Sequence, residues 1–142
     1  MKEEVKRKKY YLKKYRRCIA KIDRLEEKLS ELDFKLEGLN SKEITDMPRG
    51  GQPLTLDELL VRKEELNTRI NNLVQSSHRI RQEACFAFDA LDDERCAEVL
   101  EMYFIDLLSL NEIAEAKHYS FRHVTRLYSQ GLENVRIANF RS

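Results

Sequence analysis

Ser109-Leu-Asn-Glu-Ile-Ala-Glu-Ala-Lys-His-Tyr-Ser-Phe-Arg-His-Val-Thr-Arg-Leu-Tyr128 decides the fold, because it carries two helix starts with a short turn between them. Ser109 and Glu112 have the S-x-x-E spacing of a capping box. In such a box, hydroxyl and carboxylate each satisfy a backbone N–H that has no partner at a helix start. Leu110, Ile113 and Ala114 then share one face. Ser120 supplies a second cap, with Tyr119 before it and Val124 after it at the spacing of a hydrophobic staple. The helix that follows, over 120–135, repeats its apolar residues at intervals of three and four: Val124, Leu127, Tyr128, Gly131, Leu132 and Val135. Gly131 leaves room on that stripe for a close neighbour. The pattern predicts a helix-turn-helix domain over 92–142.

At about 100° per residue, Arg122, Thr125, Arg126 and Ser129 fall opposite this stripe. Arginine's planar fork matches both a phosphate and the O6/N7 edge of guanine, so two arginines four residues apart on an exposed face suit a major groove. Double-stranded DNA is the partner this face implies. The alternative is a solvated basic helix surface.

Val99-Leu-Glu-Met-Tyr-Phe-Ile-Asp-Leu-Leu-Ser-Leu-Asn-Glu-Ile-Ala114, followed by Tyr119-Ser120 and Val124, resembles region 4 of bacterial sigma factors. The chain is more similar still to phage-encoded transcription regulators of the RinA and ArpU type, which join such a C-terminal domain to a long helical N-terminal part. Met47-Pro-Arg-Gly-Gly51, ahead of a second long helix, also looks like that group. Two positions depart from the pattern: His118 stands where the turn usually has glycine, and Lys117 where it has a leucine-like residue. Histidine accepts a left-handed backbone better than most residues.

The resemblance implies a sequence-specific transcription regulator, a phage or prophage late-gene activator, that reads a promoter's major groove with helix 120–135. It also implies RNA polymerase as a second partner, and puts base and phosphate contacts on Phe121, Arg122, Thr125 and Arg126. Lys117, Ser120, His123 and Ser129 complete the expected DNA-binding surface. Phe121 is an unusual occupant of its position and leaves the target sequence open.

Residues 1–91 read as a long antiparallel, coiled-coil-like helical hairpin, so the expected fold is all-α. Tyr11, Tyr15, Cys18, Ile22, Leu25, Leu29, Leu32, Leu36 and Leu39 alternate spacings of four and three, predicting a helix over about 5–39. Turn-forming residues, among them Pro48, Gly50, Gly51 and Pro53, break the pattern over 40–54. Thr55 and Glu58 form another capping box and open a second helix over about 55–91, whose weaker stripe includes Leu59, Leu66, Ile70, Ile80, Ala84 and Ala87. Folding back about the loop sets Leu36 against Leu59, Leu25 against Ile70, Cys18 against Ser77 and Tyr11 against Ala84. Leu12, Ile19, Phe34, Leu60, Val74 and Phe86 fall outside the seam, and a homodimer that buries them is expected. Packing against the chain's own C-terminal domain is the other use for them.

The net charge of +1 conceals segregation. Residues 1–21 carry ten Lys or Arg against Glu3 and Glu4, a net +8, whereas residues 89–116 carry nine Asp or Glu against Arg95, a net −8. Residues 117–142 return to +4. The hairpin register brings Lys6 to Lys9 beside Asp89, and a charge match there is expected to seat the hairpin on the C-terminal domain.

Composition narrows the rest. With 36% charged residues, four Gly, two Pro and no Trp, the 142-residue chain has the makeup of long helices. Cys18, Cys85 and Cys96 lack any C-x-x-C or C-x-x-H spacing, so no metal site or disulfide scaffold is expected. No cofactor loop and no catalytic set emerges, and an enzyme is not expected. Neither a signal peptide nor a membrane span is legible, which makes the cytoplasm the expected location. Two readings stand beside the regulator: a DNA-packaging protein of small-terminase kind, whose domain order is usually the reverse, and a protein-interaction module that binds polymerase without reading DNA.

Overall fold

The computed structural model describes residues 2–40 and 55–137. Among these the regular elements are all α-helices: α1 (Lys2–Leu12), α2 (Lys14–Asn40), α3 (Leu56–Asp89), α4 (Glu94–Phe104), α5 (Leu110–Lys117) and α6 (Phe121–Asn134). The loop expected over 40–54 lies outside the described residues, apart from Asn40, which ends α2. The chain forms two compact units, one from residues 1–18 with 76–142 and one from residues 19–75.

The first predicted helix is bent. It starts at Lys2, and Lys13 stands between α1 and α2. Backbone hydrogen bonds from Lys13 N–H to Lys9 O and from Arg17 N–H to Lys13 O, both 3.0 Å, carry the helical ladder across the bend. Leu12, immediately before it, is only 2% exposed in a core that the C-terminal helices build. Of the two uses expected for Leu12, a second copy of the chain or the chain's own C-terminal domain, that burial selects the second. A two-helix register has no place for a residue that serves a third element.

In the larger unit, α6 packs against α4, α5 and α1, and α4 against α5. Each helix supplies apolar residues at helical spacing. Cys96, Val99, Leu100 and Phe104 come from α4, Ile113 and Ala114 from α5, and Val124, Leu127, Tyr128 and Leu132 from α6. Phe88 of α3, 0% exposed, joins them although it falls off the α3 stripe. Fully burying each Leu, Val or Phe contributes roughly 1.5–3 kcal/mol, so this cluster dominates the unit's stability. The rings of Phe88, Phe104, Tyr103 and Tyr128 run through it at centroid separations from 4.9 to 6.3 Å. Gly131 lets α6 approach α4: a Cβ there would lie 2.9 Å from Leu100 Cδ1 and 3.4 Å from Cys96 Cβ.

The caps explain where these helices begin and end. Asp93 Oδ1 accepts the N–H of Arg95 at 2.9 Å and starts α4. The hydrogen bond and the Arg95 charge hold the Asp93 carboxyl below the usual carboxylate range. Leu107, at φ 61°, takes the left-handed conformation that turns the chain from α4 toward α5. The second predicted helix ends at Asp89, two residues before the expected limit, where Ala90 and Leu91 donate to the carbonyls of Ala87 and Phe88.

Within the smaller unit, α2 and α3 lie antiparallel. Leu32, Leu36 and Leu59 form one buried cluster with Leu66 against it, and Lys63 Nζ meets Asp33 Oδ1 at 2.9 Å. Lys28 and Arg69, farther along each helix, border one shallow groove, as the expected register requires. The Thr55–Glu58 capping box is closed in both directions, at 3.0 and 3.1 Å. Phe34 (76%) and Leu60 (47%) stay exposed on this unit. Among the described residues no helix is long and apolar enough to cross a membrane.

Candidate nucleic-acid interface

The α5–turn–α6 segment is fixed at both ends by its own side chains. Ser109 Oγ accepts the N–H of Glu112 at 3.1 Å, and Glu112 Oε1 accepts the N–H of Ser109 at 2.8 Å, which completes the capping box. At the far end His118 sits in the left-handed region, φ 59° and ψ 40°. Its N–H reaches the Glu115 carbonyl at 3.3 Å, while the N–H of Tyr119 reaches Ala114 at 3.0 Å. This pair of bonds is a Schellman ending, the arrangement that usually recruits glycine. Ser120 then accepts the N–H of His123 at 3.0 Å and starts α6. Tyr119, beside that cap, packs on the core that contains Val124, and its ring meets His123 at 4.7 Å.

With both ends set, the α6 stripe has no freedom to rotate. Val124, Leu127, Tyr128, Gly131 and Leu132 are buried, while Phe121, Arg122, Arg126 and Ser129 are exposed and Thr125 is half-buried. Burial and the neighbouring Tyr103 push the Tyr128 phenol upward, so it stays protonated as a core residue.

The eight expected contact residues do not share one state. Arg122 is exposed and has no ion pair or hydrogen bond among the described residues. Arg126 Nη2 lies 3.0 Å from His123 Nδ1. An arginine can only donate, so this contact requires an unprotonated Nδ1 and puts the ring proton on Nε2. Thr125 Oγ1 donates to the Phe121 carbonyl at 2.9 Å, so its hydroxyl proton is already engaged. Lys117 points elsewhere: its Nζ meets Glu98 of α4 at 2.8 Å, and that carboxylate raises the Lys117 pKa. Ser120 is exposed but occupied as a cap. Phe121 is 51% exposed at the first turn.

What sequence reasoning missed is the role of α1. Lys8 is buried, and its Nζ donates to the carbonyls of Leu132 and Glu133, both at 3.1 Å. These are among the carbonyls left without partners at the end of a helix, where the dipole also favours a cation. The expected pairing of Lys6 to Lys9 with Asp89 is thus replaced, for Lys8, by a contact with the end of α6. Arg16 donates to the Tyr103 carbonyl at 3.4 Å and lies over the Tyr103 ring, and Lys9 lies 5.9 Å from the centre of the Tyr128 ring. Segregated charge was the one available signal, and it does not identify a neutral carbonyl as the partner.

Cys96 is buried, and burial raises its thiol pKa, so it packs as a neutral group. Among the described residues no group of three His, Cys, Asp or Glu side chains is placed to hold a metal ion. Comparison with protein-family models, curated proteins and solved structures finds no match to the chain.

Proposed function

We propose that the chain is a sequence-specific, double-stranded-DNA-binding transcription regulator that enters a major groove with the outer face of α6. The observation that carries this reading is the capped α5–turn–α6 unit, which holds Arg122, Thr125, Arg126 and Ser129 opposite a buried stripe. Rigid presentation matters because a recognition helix must bring three or four side chains to base edges at once. Arg122 is available without breaking any internal contact, and Arg126 exchanges one contact with His123 for a base or phosphate. The resemblance of the stretch from Val99 to Val124 to sigma region 4, and of the chain's layout to phage regulators of the RinA and ArpU type, favours a promoter as the target and RNA polymerase as a further partner. A homodimer bearing two α6 helices fits a two-fold symmetric site.

Selection of duplexes from a random pool, followed by binding of Arg122→Ala and Arg126→Ala, tests the reading. A base-reading arginine costs about 1–3 kcal/mol on the selected site when removed, and a phosphate contact lowers the salt slope by about one. Failure of the pool to enrich, with both variants unaltered, refutes it. The exposed Phe121 ring favours one second reading, in which the same face docks on a protein such as polymerase. In that case Phe121→Ala abolishes capture of the partner and no duplex is enriched.

A further inference from the structure

The same α6 face continues onto a different helix. Lys6 and Lys9 of α1 border a groove shared with Ser129, Leu132 and Glu133 of α6, and Ser129 belongs to the outward face of α6. Lys6 and Lys9 are three residues apart, which sets them on one side of α1, and Lys13 follows four residues on at the bend that ends it. Like charges so spaced repel. The described residues offer them no ion pair in return: Glu4 lies toward Lys8, whose ammonium is already bound by the α6 carbonyls. Lys9 Nζ lies 5.9 Å from the centre of the Tyr128 ring, a neutral group that does not cancel its charge. Cations held at fixed positions beside a proposed groove-reading face match the phosphates that flank a major groove, which are spaced along each strand on either side of the inserted helix.

We propose that Lys6 and Lys9 of α1 form a second contact with duplex DNA, neutralising backbone phosphates on the flank of the groove that α6 enters. The inference rests on the reading of α6 as the DNA-contacting helix and adds a sequence-independent grip from the opposite end of the chain. Lys8 takes no part in that grip; by binding the end of α6 it sets the distance between the lysine row and the reading face. Glu133, in the same groove, opposes the phosphate and gives the inference a second handle.

The test measures the affinity of the full chain for a duplex selected by the wild type and for a scrambled duplex, from 50 to 200 mM salt. Lys6→Gln with Lys9→Gln flattens the slope of log affinity against log salt by about two, since each phosphate contact contributes about 0.9. Over that fourfold change in salt, the double variant therefore loses about tenfold less affinity than the wild type. Selected and scrambled duplexes weaken by the same factor, because phosphates carry no sequence. Lys6→Arg with Lys9→Arg keeps the wild-type slope, and Glu133→Gln strengthens binding to both duplexes. An unchanged slope in the Gln double variant, while Arg122→Ala still weakens the selected duplex, overturns this inference and leaves the reading of α6 standing. Absence of any duplex binding by the wild type overturns both.

Discussion

Gly131 is where α6 and α4 come closest, and Gly131→Ala measures how rigid that contact is. On an isolated helix the change stabilises by about 0.5–1 kcal/mol, because glycine loses more backbone freedom than alanine on folding. Here the new methyl lies 2.9 Å from Leu100 Cδ1, 3.0 Å from Leu100 Cγ and 3.4 Å from Cys96 Cβ. Leu100 is 0% exposed and Cys96 2%, so neither side chain can swing into solvent. Overpacking of that kind costs about 1–3 kcal/mol, which exceeds the propensity gain and leaves a net loss of about 1 kcal/mol. For a chain of this size the melting temperature falls by roughly 3–5 °C. Leu100→Ala is the control background: alone it costs about 2–5 kcal/mol, and it removes both of the nearest atoms. In that background Gly131→Ala becomes stabilising, a coupling of about 2 kcal/mol in a double-mutant cycle read by urea unfolding. An alanine that stabilises the wild-type background, or changes it equally in both, refutes the close approach of α6 to α4.

Other outcomes follow from the same geometry. His118→Gly relieves the left-handed position and raises stability by about 1 kcal/mol, whereas His118→Val lowers it by at least as much; equal effects by thermal unfolding would discount the Schellman ending. Lys8→Met keeps the aliphatic stem and deletes both hydrogen bonds to the α6 carbonyls, costing about 2 kcal/mol and making the amides of α1 exchange faster with solvent. Unchanged exchange in that variant counts against the contact. Tyr11 donates to Glu83 Oε1 at 2.9 Å, and burial with that carboxylate pushes its pKa up to about 12 from the ordinary 10.0. The protonated phenol is the form the folded state prefers, so its contribution is complete below pH 10 and is lost as the pH rises toward 12. Tyr11→Phe flattens the stability profile in that window, and an unaltered profile contradicts the assignment.

Local caps and the pairing of α2 with α3 were legible in the sequence, and the contacts that α1 makes with the C-terminal helices were not. Ser109 with Glu112, Thr55 with Glu58 and the Ser120 cap are read correctly because each satisfies its own neighbours within three residues. The α6 stripe is read correctly because one period of 3.6 governs all its members, from Val124 through Val135. Leu12 and Phe88 escape such a reading: each is buried by helices distant in sequence, so neither falls on the seam of a two-helix hairpin. Phe86 and Phe34, which the pattern sets outside the seam, are 78% and 76% exposed. Of the expected contact residues, Arg122, Arg126 and Ser129 could be placed on the exposed face by angle alone. The occupation of Lys117 by Glu98 could not, since it depends on how α4 crosses α5.

The lysine that closes the end of α6 also imposes an order of assembly. Lys8 and its acceptors are separated by 124 and 125 positions. During synthesis the first helix leaves the ribosome long before Leu132 exists, so its most buried cation has no site while nearly all the remaining chain is made. Contacts of such separation form late and slow folding. Until then Lys8 has no acceptors, although Tyr11 and Arg16 of the same segment already have theirs in Glu83 and the Tyr103 carbonyl. Seating of Lys8 therefore reports completion of α6, and a chain cut short before Leu132 leaves that ammonium without its two carbonyls.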